Sequence, residues 1–219
     1  MAAFNLGALL TEQGDVAGAR AAYQQAIESG HAEAAPRAGS GLGFLLAEQG
    51  DVAGARAAYE RAIDSGHAEW APQAALNLGI LLEEQGDAAS GRAAYERAID
   101  SGHADVVGLA ARNLGFLLEE QGDAAGARAA YERAIDSGHV GAVGLAEGHL
   151  GFLLAEQGDV TGARAAYERA IESGDAVAVP VAARNLGLLL AEQGDVTGAR
   201  AAYERARVRG RRCGAAGGE

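Results

Sequence analysis

A period of 36 residues runs through almost the whole chain and constrains its fold more than any other feature. The pair Leu-Gly recurs six times in the same register, without one insertion or deletion. Its glycines are Gly7, Gly43, Gly79, Gly115, Gly151 and Gly187. In the same frame a tyrosine recurs at Tyr23, Tyr59, Tyr95, Tyr131, Tyr167 and Tyr203. Self-similarity at this spacing predicts a stacked array of small units, each of which buries its apolar faces against its neighbours.

Each repeat predicts two helices, as the uninterrupted fourth repeat shows. The first, helix A, carries apolar residues at three- and four-residue spacing, namely Val107, Ala110, Ala111, Leu114, Leu117 and Leu118. The second, helix B, has a small apolar face formed by Ala127, Ala130, Tyr131, Ala134 and Ile135. Gly122 is expected to end helix A in a left-handed conformation, and Asp123 to cap helix B. Gly115 opposite Ala127 predicts a close approach of the two backbones.

These residues carry a resemblance to a known family. The pattern Leu114, Gly115, Leu118, Ala127, Tyr131 and Ala134, repeated from residue 2 to about 206, resembles the tetratricopeptide repeat. The unit has 36 residues, rather than the family's ~34. The proline that usually follows helix B is replaced by His31, His67, His103, His139, Asp175 and Arg211. The longer unit and the Ser-Gly-His ending are also similar to Sel1-like repeats.

The resemblance implies an all-α fold, an α-solenoid of six helix-turn-helix repeats in a right-handed superhelix. The solenoid is expected to span residues 1–209, with repeats at about 1–31, 32–67, 68–103, 104–139, 140–175 and 176–209. Residues 210–219 are expected to form a disordered Arg/Gly-rich tail, and a basic docking tail is the alternative.

Composition excludes several functional classes. The formal net charge of -12 and the absence of any Lys disfavour nucleic-acid binding, a Walker loop and a Schiff-base mechanism. The single cysteine, Cys213, excludes a disulfide framework or a cysteine metal cluster. No basic leader and no run of ~20 apolar residues is present, so we expect a cytoplasmic protein without membrane contact.

A polar row on helix A is the first candidate site. It consists of Asn5, Asn77, Asn113, His149 and Asn185, with Gly41 in the second repeat. The resemblance places this position in the concave groove of the superhelix, where an amide can donate to and accept from the main chain of an extended peptide. The alternative is that these side chains bond to neighbouring helices and shape the stack.

An apolar row on helix A is the second candidate site. It consists of Phe44, Ile80, Phe116, Phe152 and Leu188, with Ala8 in the first repeat and with Arg112 and Arg184 at its edge. The resemblance places this row on the concave face too, where it would form a recognition surface. The alternative is that these side chains are core between adjacent A helices. A parallel row of glutamates, from Glu12 to Glu192, disfavours a clamp for a partner's carboxylate.

Other patterns point to structure rather than chemistry. The tyrosines are expected to pack in the core with their hydroxyls at an edge. His31, His67, His103 and His139 should lie ~10 Å apart, too far for one zinc ion. Gly39 and Gly41 each cost about 1 kcal/mol within a helix, which makes helix A of the second repeat a candidate weak point. We predict no catalytic residue, metal or cofactor.

The sequence therefore predicts a non-catalytic scaffold that binds a peptide segment or helix of a partner protein. The alternative is an assembly module that forms homo-oligomers through its uncapped terminal repeats, or a fragment or sensory arm of a larger regulatory protein.

Overall fold

The computed structural model describes the backbone of residues 1–214 and the side chains of residues 1–207. All regular secondary structure in these residues is helical, which confirms the predicted all-α helical repeat fold. The helices are α1 (Ala2–Glu12), α2 (Val16–Glu28), α3 (Ala34–Glu48), α4 (Val52–Asp64), α5 (Trp70–Glu84), α6 (Ala88–Asp100), α7 (Ala104–Glu120), α8 (Ala124–Asp136), α9 (Val140–Glu156), α10 (Val160–Glu172), α11 (Ala178–Glu192) and α12 (Val196–Gly214). Odd-numbered helices are the A helices and even-numbered helices the B helices.

The turn between helix A and helix B has the predicted chemistry. In the fourth repeat Gly122 has a φ of 77°, and Asp123 accepts a hydrogen bond of 2.9 Å from the backbone N–H of Gly126. The equivalent aspartate caps helix B in every repeat, at 2.8 to 3.2 Å. Because the capped N–H groups would otherwise lack a partner, this bond sets the first residue of each B helix.

The chain divides into two compact units, one of residues Met1–Ala110 and one from Ala111 onward. In the first unit α1 packs on α2, α3 on α4 and α5 on α6, and successive pairs meet through α2 with α3 and α4 with α5. In the second unit α9 packs on α10 and α11 on α12, and the layers meet through α8 with α9 and α10 with α11. Neighbouring A helices also touch within each unit, so both units are stacks of helix pairs.

A glycine and a tyrosine form the crossing of each helix pair. A Cβ placed on Gly115 would lie 2.5 Å from Cε1 of Tyr131, and the same ring contact recurs at the Leu-Gly glycine of every repeat. The predicted close approach is also present, since a Cβ on Gly91, which stands where Ala127 does, would lie 3.4 Å from the carbonyl oxygen of Gly79. Sequence reasoning found the small residues but missed the ring that covers the glycine.

Proline sets where the A helices begin. Pro36, Pro72 and Pro180 are each the third residue of their helix, where the missing N–H has no intrahelical partner to lose. Gly108 and Gly144 replace this proline in α7 and α9, which begin two residues earlier in the frame. A proline there would occupy the fifth helical position, where its missing N–H would remove an intrahelical hydrogen bond. In the longer α7 Val106 is buried and Val107 half-buried, so the predicted stripe was wrong by one residue at this end.

The glycine run of the second repeat lies within the unbroken helix α3. A Cβ on Gly39 would lie 3.2 Å from Cβ of Ala62, and one on Gly41 would lie 3.1 Å from the ring of Tyr23. Both glycines therefore permit close packing against a neighbouring B helix, which accounts for their presence despite their cost in helix propensity.

Helix α12 runs to Gly214 and so covers the first residues of the segment predicted as a tail. The rest of that segment, residues 215–219, lies outside the described residues. None of the helices described is long and apolar enough to cross a membrane.

Candidate interaction surface

The apolar row of the A helices is exposed. Phe44 and Ile80 in the first unit, and Phe116, Phe152 and Leu188 in the second, have between 38% and 54% of their surface accessible to water. The leucines that follow them in each repeat, such as Leu117 and Leu118, are buried. Because this position points away from the core in five repeats, each unit presents large apolar side chains in register on its A helices.

The polar row lies beside the tyrosine of the preceding repeat. Asn185 lies close enough to the hydroxyl of Tyr167 to lower its pKa, and the His149 ring stacks on the Tyr131 ring with centroids 5.4 Å apart. Burial has the larger effect and raises the pKa of Tyr167 to about 12. Gly41 leaves room for Tyr23 at the same frame position. His149 and Asn185 are thus the two side chains of the row that contact the tyrosine of the preceding repeat.

Two further asparagines of the polar row accept hydrogen bonds from side chains on their own helix. Asn77 Oδ1 accepts from Gln73 Nε2 at 3.2 Å. Asn113 Oδ1 accepts from Arg112, at 3.1 Å from Nε and 2.7 Å from Nη2. Asn5, in the first repeat, is exposed. The structure brings Arg112 together with Asn113 but leaves Arg184 exposed at the edge of α11.

The tyrosines pack as predicted, and their hydroxyls reach polar side chains on helix A. Five of the six are buried and Tyr203 is half-buried. Tyr131 donates to Glu119 Oε2 at 2.5 Å, and Tyr95 donates to Glu83 Oε2 at 2.5 Å. Burial, followed by the bond to Glu119, raises the pKa of Tyr131 because both favour the neutral phenol.

Tyr59 differs from these tyrosines because Ala47 stands where Glu83 and Glu119 stand. A cavity of about 160 Å³ opens here between α3, α4 and α5. Its lining is Phe44, Ala47, Glu48, Tyr59, Asn77, Ile80, Leu81 and Glu84. Burial raises the pKa of Tyr59 to about 12, with further contributions from the charges of Glu48 and Glu84.

The glutamates that begin the Glu-Gln-Gly-Asp segments flank the apolar row. Glu12, Glu48, Glu84, Glu120, Glu156 and Glu192 are all exposed. Beside Phe116, the His149 ring lies edge-on to the Phe116 ring, with centroids 5.7 Å apart, and its Nδ1 lies 3.4 Å from Glu119 Oε2. The surface of the A helices therefore combines apolar side chains with carboxylates.

Sequence reasoning missed what the histidines after helix B do. The Nδ1 atom of His67 accepts from the backbone N–H of Glu69 at 3.2 Å and of Trp70 at 3.3 Å. Asp175 makes the equivalent bonds at the start of α11. His31, His67 and Asp175 thus cap the next A helix, whereas the Nδ1 atoms of His103 and His139 are buried without a hydrogen-bond partner. The exchange of His for Asp at this position of the repeat was the sequence signal for capping. Within residues 1–207, no cluster of three His, Cys, Asp or Glu side chains could hold a metal ion.

Two larger cavities, of about 360 and 340 Å³, lie at the connections between repeats in the first unit. His31, Pro36 and Arg61 help to line one, and His67, Pro72 and Arg97 the other. Because His31 and His67 already cap a helix there, we assign these cavities to the packing of the connections.

Comparison with known proteins gives a family match and several similar folds. The family model described as tetratricopeptide repeat matches residues 4–73, 40–106, 76–140 and 150–214. The crystal structure of BtubC (BKLC) from P. vanneervenii is 20% identical over 91% of this chain and 92% of that chain, with a TM-score of 0.72. Pseudomonas aeruginosa pilF is 18% identical over 92% of this chain and 87% of that chain, with a TM-score of 0.70.

A third solved structure is YrrB, described as a TPR protein with an unusual peptide-binding site. It is 19% identical over 85% of this chain and 91% of that chain, with a TM-score of 0.62. At these identities the likenesses show the fold alone. No curated protein sequence was found to match the chain.

Proposed function

The chain belongs to the tetratricopeptide repeat family, and from this premise we propose that it is a non-catalytic scaffold that binds a peptide segment or helix of a partner protein on its A helices. Proteins of this family generally bind protein or peptide partners and carry out no chemistry. A peptide-binding site described for YrrB, which shares the fold, supports the proposal. The 36-residue unit and its Ser-Gly-His ending further support a Sel1-like variant of the repeat.

One observation carries the assignment of the surface. Large apolar side chains occupy the same exposed position of the A helices in five repeats, although burial of each would be favourable by about 1.5–3 kcal/mol. Contiguous exposed apolar side chains with a polar rim are typical of interaction sites. We assign the polar row to the edge of the apolar row in each unit, with Asn5 and Asn77 in the first unit and Asn113, His149 and Asn185 in the second. Arg112 and Arg184 are the basic residues of the surface on the second unit. A protein partner in the cytoplasm, and no nucleic acid, remains our expectation from the acidic composition.

Selection of peptides from a phage-displayed random library on the full chain tests this proposal. We expect selected peptides to bind the double variant Phe116→Ala/Phe152→Ala at least tenfold more weakly, since an apolar anchor at an interface is worth about 1–2 kcal/mol. Each side chain is also more than half buried, so the midpoint of thermal unfolding should fall by several degrees, and binding is measured well below that midpoint. Fluorescence polarisation with labelled peptides measures the affinities.

The control variant Val140→Ala/Val196→Ala removes two apolar side chains from exposed helix starts in the same unit. It should bind the selected peptides with native affinity. Peptides that bind both double variants equally well, or a library that yields no binding peptide, would contradict the assignment.

Self-association is a second candidate function, favoured by the first helix. Leu6 and Leu9 are about half exposed, whereas Leu42 and Leu45 at the same frame positions are buried. A second copy that covers these leucines would make the mass measured by light scattering rise with concentration, and Leu6→Lys/Leu9→Lys would abolish the rise. A mass that stays monomeric at all concentrations excludes this candidate.

A further inference from the structure

The cavity at Tyr59 is a pocket of the candidate surface that lies between two A helices of the first unit. Phe44 on α3 and Ile80 on α5 are exposed beside it, and Tyr59 on α4 lines it. Its volume of about 160 Å³ is suited to one side chain rather than to a free metabolite.

The hydroxyl of Tyr59 has no hydrogen-bond partner among the side chains that the structure describes, although the residue is only 2% exposed. Thr11 donates to the hydroxyl of Tyr23, and Glu83 and Glu119 accept from Tyr95 and Tyr131. Ala47 cannot take this role. The oxygen is not one of the side-chain atoms that are buried from water without a partner, so it faces the cavity, where a ligand would replace water as its partner.

Two carboxylates complete the lining. Glu48 ends α3 and Glu84 ends α5, and both act on the Tyr59 hydroxyl through their charges. Neither forms an ion pair with a basic side chain in the described part of the chain. The pocket therefore offers two unneutralised negative charges, a hydroxyl oxygen and apolar walls.

We propose that this pocket binds a lysine or arginine side chain of the partner polypeptide. The apolar stem of such a side chain would lie between Phe44 and Ile80, and its cationic head would donate to Glu48, Glu84 and the oxygen of Tyr59. The net charge of -12 favours the approach of a basic segment and repels an acidic one. The inference rests on the proposed function and specifies the chemistry of the partner.

The second unit supplies a matched reference. Phe152, Ala155, Glu156, Tyr167, Asn185 and Glu192 repeat the residue types of Phe44, Ala47, Glu48, Tyr59, Asn77 and Glu84. There the amide of Asn185 lies near the Tyr167 hydroxyl and favours its ionised form, whereas Asn77 has no such effect on Tyr59. Variants at Glu156 and Glu192 thus remove equal charge without touching the pocket.

Nuclear magnetic resonance of the ¹⁵N-labelled full chain tests the inference. The probes are acetylated and amidated alanine pentapeptides with a central Lys, Arg or Gln. We expect the Lys and Arg probes to shift the amide signals of Tyr59, Asn77 and Glu84 with at least threefold higher affinity than the Gln probe. Glu48→Gln/Glu84→Gln should weaken this binding roughly three- to tenfold, whereas Glu156→Gln/Glu192→Gln should leave it within about twofold.

A further variant tests the hydroxyl. Ala47→Thr introduces the residue type that donates to the tyrosine hydroxyl in the first repeat, so its hydroxyl should donate to Tyr59. The variant should bind the Lys and Arg probes more weakly, and its helical content should be unchanged. The inference is overturned if neither basic probe shifts these amides, if the Gln probe binds equally well, or if the two glutamine pairs weaken binding equally. In each of these cases, phage-selected peptides whose binding still depends on Phe116 and Phe152 would leave the proposed function intact. Only if those peptides also failed to bind would both the inference and the proposed function be contradicted.

Discussion

Replacement of Gly151 by alanine should lower the free energy of unfolding by about 1–3 kcal/mol, whereas the same change at Gly148 on the same helix should raise it by about 0.5–1 kcal/mol. A Cβ at Gly151 would lie 2.7 Å from Cδ1 of Tyr167, in a packed crossing that cannot yield without displacement of the ring. A Cβ at Gly148 would meet nothing within 4 Å, so only the gain in helix propensity remains. Urea denaturation followed by circular dichroism measures both.

A background of Tyr167→Leu provides the control for this pair. The smaller leucine leaves space over Gly151, so the additional cost of Gly151→Ala should shrink in this background, while the effect of Gly148→Ala should persist. Equal effects of alanine at the two glycines would show that the tyrosine ring does not account for the Leu-Gly repeat.

Replacement of Arg169 by alanine should destabilise the protein by about 3 kcal/mol, because it leaves a buried carboxylate without its partner. The side chain of Glu147 is 3% exposed, and Arg169 donates to it from Nε at 2.6 Å and from Nη2 at 2.8 Å. Glu147→Ala should change stability by less than about 1 kcal/mol, since it removes the buried charge itself. The double variant should resemble Glu147→Ala in urea denaturation.

The fourth repeat contains the matched control for this ion pair. Arg133 occupies the frame position of Arg169, but Ala111 occupies that of Glu147, so Arg133→Ala should change stability by less than about 0.5 kcal/mol. A loss at Arg133 as large as that at Arg169, or additive losses in the Arg169/Glu147 double variant, would contradict the account of the pair.

The periodic features of the fold were predictable from sequence because each is a local rule repeated six times. The apolar stripe of helix A, the left-handed Gly122 and the capping Asp123 depend on residues close in the chain, and the structure contains all three. The exposure of Phe116 was not decided by the same rules. At one helical position, the pattern alone could not separate an outward-facing side chain from one held between adjacent layers.

Two of the features that sequence reasoning missed depend on contacts between residues that are distant in the chain. The ion pair of Glu147 with Arg169 was not predicted, although the equivalent position of the other repeats holds only Ala or Gly. The pocket at Tyr59 arises because the small side chain of Ala47 leaves the tyrosine hydroxyl without a partner. To predict it, one would need the distance between helix A and helix B, which the sequence does not contain. The capping by His67 depends on the geometry of the connection, which propensities do not describe.

The central claim is that partners bind on the exposed row of the A helices. The most direct measurement is the change in backbone amide signals of the ¹⁵N-labelled full chain on saturation with a phage-selected peptide. The account predicts that the changes centre on residues around Phe116, Phe152 and Leu188, or around Phe44 and Ile80, and spare the outward face of the B helices, such as Arg128 and Glu132. Changes concentrated on that outward face, with the A helices unaffected, would contradict it.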